Sequence, residues 1–226
     1  MGHFESWKDL LNPEFYINLG GFWLILFIIF AETGLFVGFF LPGDSLLFIS
    51  GIYAVQIIDT TFGSTGSDFL DTTILATSVA LAAIIGNEVG YWFGYKSGPL
   101  LYERKDTFFF KKKYLFKAHD FFEEHGTVAV ILSRFLPIVR TFSPIVAGIV
   151  KMDKKKFFLY NVVGAVLWSF TMIFAGHYLD KLFMDQFNID LKKKLELIVL
   201  VIVLITTLPI VIKFFFTKDK ERPTQE

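Results

Sequence analysis

Gly126–Val150 reads GTVAVILSRFLPIVRTFSPIVAGIV, a stretch apolar enough for a membrane but interrupted by Arg134, Pro137, Arg140 and Pro144. A plain crossing helix needs about 20 mostly apolar residues, and each charge at its centre costs about 2.5–3.5 kcal/mol on insertion scales. Two arginines and two prolines therefore predict a re-entrant hairpin or a discontinuous helix. Such a segment survives at membrane depth only where its freed backbone groups face protein or a water-filled cavity. Ser45–Ile58 is a second apolar stretch, too short to cross comfortably. The two echo each other: Phe40-Leu41-Pro42 precedes Asp44 and Gly51, as Phe135-Leu136-Pro137 precedes Arg140 and Gly148. An acid-bearing and an arginine-bearing hairpin in corresponding places predict an all-α membrane protein with two inverted-repeat re-entrant hairpins around a midplane cavity.

The rest of the chain supports the membrane class. Of 226 residues, 54% are hydrophobic and 19% charged, too apolar a balance for a soluble domain of this size. Four apolar stretches are near spanning length: Gly20–Leu41 (with Glu32), Thr72–Tyr95 (with Glu88), and Phe157–Leu179 and Leu197–Ile212, of which the last two read as plain spans. Lys plus Arg equals Asp plus Glu at 22 each, so net charge indicates no nucleic-acid partner. The absence of Cys excludes disulfides, thiolate metal sites and Cys nucleophiles. The expected organisation is an interfacial amphipathic helix over 1–19, a membrane domain over 20–182, a linker and further crossing helix over 183–216, and a polar tail over 217–226.

Charge in the loops sets an expected orientation. Lysines and arginines crowd Lys96–Lys117 and Lys151–Lys156, whereas Ile58–Asp71 has no basic residue and three Asp. The positive-inside rule puts the basic loops in the cytoplasm and the acidic one outside. Lys181 and Lys192–Lys194 conflict with this, because an odd number of crossings places them outside. The C-terminus is expected in the cytoplasm.

Glu32, Asp44, Arg134 and Arg140 are ionisable groups at membrane depth and hence functional candidates. Used only as glue between the halves they would be costly, since buried ion pairs contribute little net stability. The arginines, with Thr141 beside the second, present permanently charged forks suited to a phosphate headgroup. Glu32 and Asp44 are carboxylates in an apolar setting, where desolvation works against the ionised form and makes coupling to a proton an expectation. Pro42-Gly43 is read as a helix break followed by a capping residue near Asp44, with Pro137 and Pro144 acting likewise around Arg140. Gly86, Gly90, Gly94 and Gly98 recur every four residues, with Asn87, Glu88 and Tyr91 among them. That spacing serves close helix packing or lines a cavity. His119, Asp120, Glu123, Glu124 and His125 are read as interfacial residues rather than a metal site, and no cofactor is expected. Lys111–Lys113 is read as a surface for anionic headgroups.

These motifs resemble the DedA family, whose shared region is also called the VTT or SNARE-associated domain. Ser133–Thr141 is similar to the family's Arg-aromatic-x-Pro-x-x-Arg-Thr pattern, followed by Ala147-Gly148. Glu32 with Leu41-Pro42-Gly43-Asp44 resembles its acidic hairpin, and Gly86–Gly98 its Gly-Asp-x-x-Gly-Tyr-x-x-Gly element. Asn87 stands where many members carry Asp, and Tyr95 where many carry Arg. The resemblance implies inverted re-entrant hairpins, Glu32, Asp44, Arg134 and Arg140 at essential positions, and a lipid flippase or scramblase dependent on the H+ or Na+ gradient. The cargo it favours is undecaprenyl phosphate at the bacterial inner membrane, with phosphatidylethanolamine as runner-up. A small-ion exchanger and a membrane lipid phosphatase are the alternatives from other classes, although no nucleophile or metal-ligand spacing favours an enzyme. A homo-oligomer is left open.

Overall fold

The computed structural model describes residues 13–35, 43–103, 137–194 and 198. They form helices and no strand: α1 Pro13–Gly34, α2 Gly43–Ile52, α3 Ala54–Phe62, α4 Asp68–Glu103, α5 Pro137–Ile149 and α6 Lys154–Phe187, with a short 3-10 turn at Leu191–Lys194. The expected last crossing over Leu197–Ile212, the tail and most of the N-terminal segment lie outside the described residues, apart from the helical Ile198.

Asp68–Gly98 and Lys154–Phe187 are long and apolar enough to cross a membrane. They pack antiparallel: Lys181 on α6 meets Asp68 on α4 at 3.4 Å, whereas Tyr91 stacks on Phe157 with ring centroids 4.5 Å apart. The acidic loop before α4 and the lysine turn before α6 therefore occupy opposite ends of the molecule. Lys181 and the Leu191–Lys194 turn sit at the acidic end, so their conflict with the charge rule is a property of the fold. Aromatic and aliphatic side chains point outward along the helices: Trp23, Phe27, Leu81, Ile85 and Trp92 are all more than half exposed. In a chain of this composition that is a lipid-facing surface.

The described parts of the broken stretches are half-length helices. Ser45–Ile58 forms the pair α2 and α3, bent by 77° at Tyr53. α2 starts where Asp44 meets Trp168 and runs beside α6 toward the acidic end, where Gly51 lies against Ile173 and Gly176 against Phe48. α5 starts near the same level, with Arg140 on Asp44. It runs the other way, to the basic end, where Gly98 abuts Ile149. The two short helices thus begin together at mid-depth and diverge.

Three local expectations are corrected. Pro144 does not break its segment: α5 continues through it to Ile149. A proline inside a helix forfeits one backbone bond, and here tertiary packing against α4 holds the helix on both sides of it. Asp44 does not serve as a detached cap: it lies inside the first turn of α2, and its Oδ1 accepts from Arg140 and Trp168. The Gly20–Leu41 span is interrupted at its start, since Gly21 departs from helical geometry (φ 48°, ψ −124°) and α1 ends at Gly34.

The glycine stripe on α4 is a packing device. A Cβ on Gly94 would overlap the Ile145 carbonyl of α5, one on Gly86 would overlap Thr33 of α1, and one on Gly148 would overlap Tyr91 and Tyr95 backbone atoms. Small residues here let α1 and α5 close on α4 at backbone contact.

Candidate functional site

Arg140, on α5, is 3% exposed and stands at the point where α1, α2, α5 and α6 meet. Its Nη1 donates to Asp44 Oδ1 and its Nη2 to Glu32 Oε1, each at 2.5 Å. The guanidinium lies over the Trp168 ring, 4.5 Å from the centroid, and the indole N–H donates to the same Asp44 oxygen at 2.9 Å. Glu32 is 1% exposed and Trp168 likewise. One planar fork is thus shared by two carboxylates and braced on an aromatic face.

The sequence explains why the side chains reach each other. Glu32 is the third residue from the end of α1, and its carboxylate lies directly against Gly43, the first residue of α2, where any Cβ would collide with it. Gly43 is therefore required for contact with the acid rather than for a turn alone. Thr33, beside Glu32, turns its hydroxyl back to the Ile29 carbonyl at 2.8 Å.

Hydrogen-bonding capacity is left over. Glu32 Oε2 and Arg140 Nε are both buried and have no hydrogen-bond partner among the described residues. Buried polar atoms without partners are uncommon and costly, and these two belong to the same ion cluster. A group with acceptors for Nε, or a cation for the free oxygen, would satisfy them.

A second polar cluster lies nearer the basic end. Asn87 Nδ2 donates to Asn161 Oδ1 at 2.9 Å, and Asn161 Nδ2 donates to the Ile84 carbonyl at 3.1 Å and to Glu88 Oε1 at 3.4 Å. Tyr91 donates its hydroxyl to the Met152 carbonyl, which anchors the lysine turn. Asn87, Glu88 and Tyr91 are hence linked to α6 and its preceding turn, not to Arg140.

Comparison with known proteins bears on these motifs directly. The VTT domain family matches residues 41–178. Protein DedA of Escherichia coli K12 is 40% identical over 196 residues, covering 85% of this chain and 83% of its own. The chain belongs to the DedA family. Within that family, the uncharacterized membrane protein ML0287 of Mycobacterium leprae is 36% identical over 89% of this chain and 86% of its own. The E. coli inner membrane protein YqjA is 29% identical over 78% and 74%. No solved structure matches.

Of the residues singled out from sequence, this DedA-family fold brings Glu32, Asp44 and Arg140 into one cluster, with Thr141 buried next to Arg140 on α5. Arg134 and Pro42 lie outside the described residues, as does the His119–His125 group. Trp168 and Asn161 were not singled out. A signal existed for each: Asn161 is a polar amide in an otherwise apolar span, and Trp168 sits mid-span, away from the interfaces where Trp concentrates in membrane helices.

Proposed function

We propose that this protein moves a phosphate-bearing lipid, undecaprenyl phosphate, across the bacterial inner membrane, with its basic end and C-terminus in the cytoplasm and with H+ or Na+ binding coupled to the movement. The observation that carries the reading is the buried Arg140 fork, held by two carboxylates yet still leaving Arg140 Nε and one Glu32 oxygen without a partner among the described residues.

A guanidinium matches phosphate oxygens bidentately as well as it matches carboxylates. While Glu32 and Asp44 are ionised they occupy the donors a phosphate would need. Proton or cation binding on the two acids weakens that hold and releases the fork, so cargo and coupling ion are exchanged at one place. The starts of α2 and α5 lie near this level, and helix N-termini favour negative charge. Thr141, the buried residue after Arg140 on α5, and Arg134, which lies outside the described residues, are the further phosphate-site candidates that the sequence motif supplies.

A carrier is preferred to a phosphatase on position: His177 lies nine residues beyond Trp168 on α6, about 13 Å along the axis, which keeps it away from Arg140. Phosphatidylethanolamine shares the phosphate chemistry and is the second cargo to test. Purified protein in liposomes should translocate undecaprenyl phosphate faster than phosphatidylethanolamine, with a further gain under a pH or sodium gradient. Folded Arg140→Ala and Glu32→Gln variants should lose most of that activity. Translocation of neither lipid, with both variants equal to wild type, would overturn the reading; lipid-independent ion flux would replace it with ion exchange, and released phosphate with hydrolysis.

A further inference from the structure

Away from the Arg140 cluster, the basic end of α4 carries a groove of about 540 Å³ open to the lipid-facing surface. Ile85, Val89 and Trp92 make its apolar wall, and Lys96 and Lys154 stand beside it, one from α4 and one from the first turn of α6. The Lys96 ammonium lies over the Trp92 ring, 5.5 Å from its centroid. No ion pair among the described residues engages either lysine.

The dimensions and charges fit one kind of occupant. From Ile85 to Lys96 the helix rises about 16 Å, close to half of a hydrocarbon core about 30 Å thick. The groove therefore has the depth of one leaflet, apolar where acyl chains run and cationic where headgroups lie. Basic pockets between helices on the cytoplasmic side are the places where acidic headgroups bind. Glu88 also borders the groove, about 12 Å below Lys96, with its carboxylate accepting from Asn161. A negative group there repels a phosphate drawn deeper and so fixes the headgroup at the lysines.

We propose that this groove holds one acidic glycerophospholipid from the leaflet at the basic end, its acyl chain along Ile85, Val89 and Trp92 and its phosphate between Lys96 and Lys154. The site is separate from Arg140, because the α4 face that packs toward α1 and α5 is the Gly86, Gly90, Gly94 and Gly98 stripe. The assignment does not depend on what the protein transports.

Native mass spectrometry of the full chain in neutral detergent, supplied with phosphatidylglycerol or phosphatidylcholine, reads the site directly. Phosphatidylglycerol should remain as a single adduct at least fivefold more abundant than that of phosphatidylcholine. Lys96→Ala with Lys154→Ala should lower it at least fivefold, and Val89→Trp, which fills the groove without changing charge, should do the same. Arg140→Ala should keep the adduct. Equal retention of the two lipids, indifference to both groove variants, or loss only in Arg140→Ala would each overturn the proposal.

Discussion

At Arg140, three neighbours act on one guanidinium, and they are not equivalent. Glu32 and Asp44 neutralise it, while Trp168 gives it a face and holds Asp44 in place. A carboxylate left without a partner can bind a proton, whereas a guanidinium stays charged. The variant Glu32→Gln with Asp44→Asn should therefore lose more stability than Arg140→Gln, because only the first leaves an uncompensated buried charge. Breaking such a pair costs about 3–5 kcal/mol. Thermal unfolding in detergent of the two variants checks the order, and equal or reversed midpoints would contradict it. Trp168→Phe keeps an aromatic face but removes the N–H to Asp44, and a hydrogen bond to a charged group is worth about 1.5–3 kcal/mol. The unfolding midpoint should fall, and headgroup translocation with it, while Trp168→Leu should fall further because the cation–π contact is lost as well. The acids and arginines were legible in the sequence because charge at membrane depth is conspicuous. Trp168 was legible only as a Trp placed mid-span; its role was not, since no local pattern shows that a guanidinium from a helix 28 residues away in sequence will lie over its ring.

Among the elements, the stripe of glycines shows how spacing and environment divide the information. Recurrence every four residues announced a helix contact, but not which glycines are indispensable. That depends on the partner surface. At Gly90 a Cβ would meet Pro144 and Ile145 side-chain atoms at 3.4–3.5 Å, ordinary contact, whereas at Gly94 it would collide with the Ile145 carbonyl. Gly90→Ala should leave stability unchanged or raise it, since alanine is favoured over glycine in a helix by about 0.8–1 kcal/mol. Gly94→Ala should lower it by about 1–3 kcal/mol, the usual result of overpacking. Unfolding of the two single variants side by side decides this, and a matched loss at both positions would show that the stripe packs uniformly. Pro144 teaches the converse. The sequence pattern marked it as a breaker, yet the described α5 runs through it, because packing against α4 supplies more than one lost backbone bond removes.

Over the whole molecule, the two short helices and the two long ones give the chain a polarity that its net charge of zero conceals. α2 and α5 leave the Arg140 level in opposite directions, so the acidic α3–α4 loop and the basic α5–α6 turn end up at opposite ends. This much was readable from the charge of those two loops, although Lys181 and the Leu191–Lys194 turn lie at the acidic end against the rule. The meeting of the half-helices at mid-depth was expected from the paired hairpins, but the exact partners there, with Trp168 among them, were not readable, since they are set by cross-helix contacts rather than by any local pattern. If the positive-inside rule governs insertion, the Asp153–Lys156 turn faces the cytoplasm and the Gly63–Ser67 loop faces outside. The chain contains no cysteine, so single cysteines can be placed without a background. Ser64→Cys and Lys155→Cys are both on exposed positions and touch neither the ion cluster nor the glycine contacts. In right-side-out cells a membrane-impermeant maleimide should label Ser64→Cys at once and Lys155→Cys only after permeabilisation, with denatured samples giving full labelling of both. The opposite pattern would invert the molecule while leaving the relation between its ends intact. Labelling of both from one side would instead break the antiparallel pairing of α4 and α6 on which the placement of Arg140 rests.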